Sequence, residues 1–141
     1  MRPPEQVKRE LVGQWLVRAE ADLAVAERLL PEGDRHAWAV AFHSQQAVEK
    51  FLKAFLVRWQ IEFPKTHDLA QILGLVEAKD KVLAKSLCDA TALTPYGVEV
   101  RYPGDSPKAT SDDARHAVQL AALVRQRIRD TLRPYLAARE A

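Results

Sequence analysis

Residues 111–135, SDDARHAVQLAALVRQRIRDTLRPY, decide the fold. Ala114, Ala117, Ala121, Val124, Ile128, Thr131 and Tyr135 recur at alternating steps of three and four. That spacing keeps one helical face toward a neighbour crossed at a shallow angle. Thr110 or Ser111 opens the helix, and Asp112 and Asp113 complement the positive end of its dipole.

The same period runs back through the chain. Over residues 5–30 the seam is Val7, Leu11, Trp15, Ala19, Leu23, Ala26 and Leu30, widened by Val12 and Leu16. Residues 31–34 form a short connection whose Asp34 is placed to cap the next helix. Over residues 35–60 two stripes run side by side: Ala41, Gln45, Val48, Leu52, Phe55 and Trp59, and Trp38, Phe42, Gln45, Glu49, Leu52 and Leu56. A helix apolar on two sides belongs in the centre. Pro64, in Glu62-Phe63-Pro64-Lys65, ends it. Thr66 then caps a third helix carrying Leu69, Ile72, Leu73 and Val76, with Asp68 in its first turn. A short fourth spans about 80–93, with Val82, Leu83, Leu87 and Ala90 inward. Residues 94–109, TPYGVEVRYPGDSPKA, hold three prolines and two glycines and are too broken for a helix; Val98-Glu99-Val100 is at most a short extended piece. The expectation is an all-α, five-helix up-and-down bundle, one domain over residues 1–141, with one long loop before the last helix.

Composition agrees with one small domain: 141 residues, 48% hydrophobic and 28% charged, too apolar for disorder and large enough for a core. Twenty-one basic against 19 acidic residues leave +2, which excludes a broad basic surface and makes any basic site local. Cys88 is the one cysteine and His36, His43, His67 and His116 are scattered. No intrachain disulfide is possible, and neither a metal site nor a cofactor is expected. Cys88, beside Leu87, reads as a core thiol. No apolar run approaches the ~20 residues of a membrane span, and the opening residues lack a signal-peptide core, so a cytoplasmic location without membrane contact is expected.

Function is sought where the patterning breaks. Gln45 lies on both apolar stripes of the second helix and Glu49 on one, four residues apart on the same face. A buried amide or carboxylate without a partner costs ~1–3 kcal/mol, so each needs one. Taken as an isolated pair they fit a register-fixing polar layer, with Glu49 reaching Lys53, better than a ligand site. The 94–109 loop carries Tyr96, Arg101 and Tyr102, rings and a guanidinium suited to a phosphate, a base or a carboxylate. It also suits a flap packed over the bundle end. Lys65-Thr66-His67 opens the third helix, where free amides favour an anion. His43 sits on the polar flank of the second helix. The arginines of residues 125–139 suit an acidic partner, but they step round a helix C-terminus, where the dipole favours cations.

These places carry a resemblance. Residues 41–54 (AFHSQQAVEKFLKA), 64–69 (PKTHDL) and 100–103 (VRYP), with Trp15 and Ala19-Glu20-Ala21-Asp22-Leu23 in the opening helix, resemble the HEPN domain family in order along nearly the whole chain. The resemblance implies a five-helix bundle, often a homodimer. It further implies nucleotide binding and a minimal nucleotidyltransferase partner, in a complex or a toxin–antitoxin pair. Many members are metal-independent ribonucleases with an Arg-x(4–6)-His motif. Here that motif is absent: Arg35 and His43 have seven residues between them, and Arg58 and His67 eight.

Three functions follow as expectations. The first is a nucleotide- or nucleic-acid-binding module. Gln45, Gln46, Glu49 and Lys50 line a cleft, Lys65, Thr66 and His67 enter at one end, and Arg101 and Tyr102 close over it, Tyr102 stacking on a base at ~1–3 kcal/mol. The second is a dimeric ribonuclease using His43 or His67 as acid or base and Arg101 on the phosphate. The third is a dimerisation and interaction module with no ligand of its own.

Overall fold

The computed structural model describes residues 4–97 and 108–138. It is all-α: five α-helices and two 3-10 segments, with no strand among the described residues. In order these are α1 (Pro4–Leu29), a 3-10 segment (Leu30–His36), α2 (Ala37–Arg58), α3 (Leu69–Lys79), α4 (Lys81–Ser86), a second 3-10 segment (Cys88–Gly97) and α5 (Ser111–Ala137). The bundle expectation holds, and α2 is its centre, packed against α1, α3, α5 and the second 3-10 segment. Phe51, Leu52, Phe55 and Leu56 of α2 are buried, and Ala19, Ala41, Ala47, Ala117 and Ala121 let the helix backbones approach.

The α1 seam is rotated at its start. Val12, Leu16, Ala19, Leu23 and Ala26 are buried at steps of four and three, while Leu11 is 44% exposed and opens onto a groove with Val7, Val57 and Ile61. On α5 the buried residue between Ile128 and Tyr135 is Leu132; Thr131 faces out.

Helix ends depart from the proline-and-threonine reading. α2 stops at Arg58, well before Pro64, through a reversed turn at Gln60 (φ 55°). The Ile61 amide donates to the Leu56 carbonyl at 2.9 Å and the Gln60 amide to that of Val57 at 3.1 Å, the paired bonds that close a helix on a left-handed residue. α3 is capped by Asp68, whose carboxylate accepts from Ala70 and Gln71 N–H; Thr66 Oγ1 instead accepts from the Asp68 amide at 3.1 Å. Asp34 does not cap α2. Its Oδ1 accepts from the Ser111 amide and hydroxyl at 2.6 and 2.7 Å and so ties the α1–α2 connection to the start of α5. Those two bonds hold the Asp34 carboxyl below its ordinary range. Thr110 is the α5 cap, and Asp113 reciprocates in a capping box.

The expected fourth helix is a six-residue α4 followed by 3-10 turns. Leu87, Ala90 and Leu93 are buried at steps of three, the repeat of a 3-10 helix and not of an α-helix. Asp80 caps α4 through the Leu83 amide, and Val82 is 82% exposed, turned away from buried Leu83 and Ala84. Cys88 is exposed, not a core thiol. The expected loop is helical as far as Gly97, and Tyr96 packs against the core; burial, and then the Asp113 charge, raises its hydroxyl pKa. Val98, Glu99 and Val100 lie outside the described residues.

Candidate functional site

Four-residue spacing on α2 puts Gln45, Glu49 and Lys53 on one face. Gln45 is fully buried and Glu49 is 4% exposed. The chain that leaves α2 at Gln60 returns past them before α3, and His67 completes the layer. Its Nδ1 lies 2.8 Å from Glu49 Oε1, and its carbonyl accepts from Gln45 Nε2 at 3.3 Å. Lys53 Nζ donates to Glu49 Oε2 at 3.1 Å, and Gln46 Nε2 to Gln45 Oε1 at 2.7 Å. The Lys53 ammonium also lies 5.6 and 5.4 Å from the Trp15 and Phe63 ring centres, which meet edge to face. Each side-chain polar atom of Gln45 and Glu49 therefore has a partner, as burial requires.

Gly97 closes this layer from the second 3-10 segment. A Cβ on it would stand 2.6 Å from the Gln45 amide carbon and nitrogen, so any side chain there must displace an amide that its hydrogen bonds hold in place.

A second polar cluster lies between α1 and α2. Asp22 Oδ1 is 3.0 Å from His43 Nδ1, and its Oδ2 accepts from Lys50 Nζ. Lys50 thus joins His43 and leaves the Glu49 layer. Asp22 belongs to the stretch that carries the family resemblance, but its pairing partners on α2 are supplied by the fold. The signal was available: it lies three residues after Ala19 and four before Ala26, beside the buried seam.

The structure brings Gln45, Gln46, Glu49 and His67 together and separates Lys50 from them. Thr66 sits beside the layer in its own turn, and Lys65 is exposed with no hydrogen bond or ion pair among the described residues. The α3 amides expected for an anion are taken: Leu69 N–H donates to Thr94 Oγ1, and Ala70 and Gln71 donate to Asp68. Arg101 and Tyr102 lie outside the described residues. On α5, Arg125 and Arg129 share Glu20 Oε1 at 2.6 and 2.7 Å, which joins that helix to α1. Among the described residues no cluster of three or more His, Cys, Asp or Glu is placed to hold a metal, and no helix is long and apolar enough to cross a membrane.

The HEPN domain family matches residues 12–131, and the chain belongs to it. The match takes in both polar clusters and every helix except the first turns of α1 and the last of α5. No curated protein and no solved structure compared with the chain matched it. Membership supports a role connected with nucleotides or RNA.

Proposed function

We propose that this HEPN protein binds a nucleotide or a nucleic-acid end at the surface of the Gln45–Glu49–His67 layer, acting as a homodimer beside a minimal nucleotidyltransferase, as in a toxin–antitoxin pair. The observation that carries this is His67. Its side chain is 60% exposed while its Nδ1 is bonded to a nearly buried carboxylate, so Glu49 fixes an imidazole whose other nitrogen faces solvent. Lys65 and Thr66, adjacent in sequence, add a cation and a hydroxyl, and Arg101 and Tyr102 supply the phosphate fork and the stacking ring. HEPN domains commonly dimerise, which gives the nucleotidyltransferase a two-fold platform.

Titration of the native protein with nucleoside mono- and triphosphates, alongside Arg101→Ala and His67→Ala, tests the reading. Saturable binding weakened in both variants supports it; equal binding by all three removes it.

The Asp22–His43 pair favours a second reading, metal-independent RNA cleavage. A carboxylate on Nδ1 sets the imidazole tautomer and leaves Nε2 as a base for a ribose hydroxyl. Cleavage lost in His43→Ala and reduced in Asp22→Asn supports it; cleavage unchanged in both is foreign to this protein.

A further inference from the structure

At the far end of α2 the bundle gathers cations and rings from four helices. The Arg58 guanidinium carbon lies 4.1 Å from the ring centres of both Trp59 and Tyr135. The Lys79 ammonium, from the end of α3, is 3.9 Å from the Trp59 ring. Arg9 and Lys8 of α1 lie 5.0 and 5.7 Å from the Tyr135 ring near the end of α5. Lys8 is paired with Glu5 at 2.9 Å, and Arg9 Nε donates to the Tyr135 carbonyl at 3.2 Å. Arg58 and Lys79 form no close ion pair with a carboxylate among the described residues; Arg58 acts on Glu5 only through its longer-range charge, one of the influences that lower the Glu5 pKa.

Helix dipoles explain part of this. α2, α3 and α5 end here, each with about half a negative charge on its last carbonyls. The four cations outnumber Glu5 and Glu62, the carboxylates of the adjoining α1–α2 groove. One further observation points outward: Trp59 is 39% exposed, a large ring left at the surface. An arginine held between rings has lost its rotamer freedom in advance and keeps its N–H groups for an acceptor.

The geometry points to a second binding site here, for the sugar–phosphate backbone of single-stranded nucleic acid. Arg58 and Lys79 take successive phosphates, and the Trp59 edge meets a base or ribose. An acidic peptide would satisfy the charges too, but an aromatic ring set beside two cations is the pairing that single-stranded nucleic acid uses along its backbone and bases. The net charge of +2 accords with this, since the site is local. It does not depend on the His67 layer.

The test is fluorescence anisotropy of a labelled oligouridylate about 12 nucleotides long, at about 50 and 200 mM salt. The native protein is compared with Lys79→Glu, Arg58→Gln and, as a probe of the other site, Lys65→Ala. Lys79→Glu should weaken binding about tenfold and flatten the salt dependence by about one phosphate contact. Lys79 is exposed, so this variant keeps its fold even if Arg58→Gln, checked by circular dichroism, does not. Native affinity in Lys79→Glu, loss confined to Lys65→Ala, or no binding of the oligonucleotide by the native protein at the lower salt each overturns the proposal.

Discussion

Glu49 and His67 stand 18 residues apart in sequence and 2.8 Å apart in space. A carboxylate set in the central helix is thereby bonded to the turn that opens α3, and the same carboxylate holds Lys53 on its other oxygen at 3.1 Å. The two partners differ in exposure: the Lys53 side chain is 12% exposed and that of His67 60%.

That difference sets the first expectation. Glu49→Gln keeps the shape but leaves Lys53 without its counter-charge in a largely dry setting, at a cost of about 1–3 kcal/mol. His67→Ala removes an exposed partner and costs less than about 1 kcal/mol. Urea unfolding of the two variants measures the gap. Equal losses would mean that the layer is held from the surface and not from α2.

Gly97→Ala should destabilise the fold by about 1–3 kcal/mol, because the new methyl group meets a Gln45 amide that three neighbours hold in place. In a Gln45→Ala background the same change should cost much less, the sign of direct coupling. Additive losses in the double variant would show that Gly97 serves the backbone alone.

Much of the fold was legible in the sequence because helix seams are periodic and need only one chain to be read. Gln45 and Glu49 stood out as polar residues on an apolar stripe, and the structure buries both. What the sequence hid were partners supplied by distant segments. Asp34 has the form of a cap for α2, yet Ser111 captures it 77 residues away. Asp68 and Thr66 both suit a cap, and only backbone geometry decides between them. Lys50 lies one residue from Glu49, and Asp22 on α1 draws it to the other side. The second 3-10 segment was missed because Leu87, Ala90 and Leu93 fit an α-helical stripe almost as well over so short a run.

The Asp34–Ser111 link should make stability depend on pH in acid. The carboxyl is held below its ordinary value of 3.8 by the Ser111 hydroxyl and amide. Its contribution is therefore complete above that value and is lost as pH falls through the lower, folded-state pKa. Asp34→Asn should be less stable than the native protein at neutral pH, with the difference shrinking in strong acid. A gap in melting temperature that stays constant from neutral pH into strong acid would contradict this.

Gln60 occupies the left-handed turn that ends α2. A side chain there costs roughly 1 kcal/mol that glycine does not, so Gln60→Gly should stabilise the protein by up to about that amount. Thermal melts measure it; a lower melting temperature would show that the Gln60 side chain, on the wall of the α1–α2 groove, contributes more by packing than its backbone costs.

The most direct measurement for the account as a whole is calorimetric titration of the native protein and His67→Ala with nucleoside monophosphates and triphosphates. The account predicts saturable binding to the native protein, weakened about tenfold or more by the substitution, a loss of about 1.4 kcal/mol, while the variant stays folded. Undetectable binding to the native protein, or the same affinity in both, would contradict it and leave the Gln45–Glu49–His67 layer as a structural element alone.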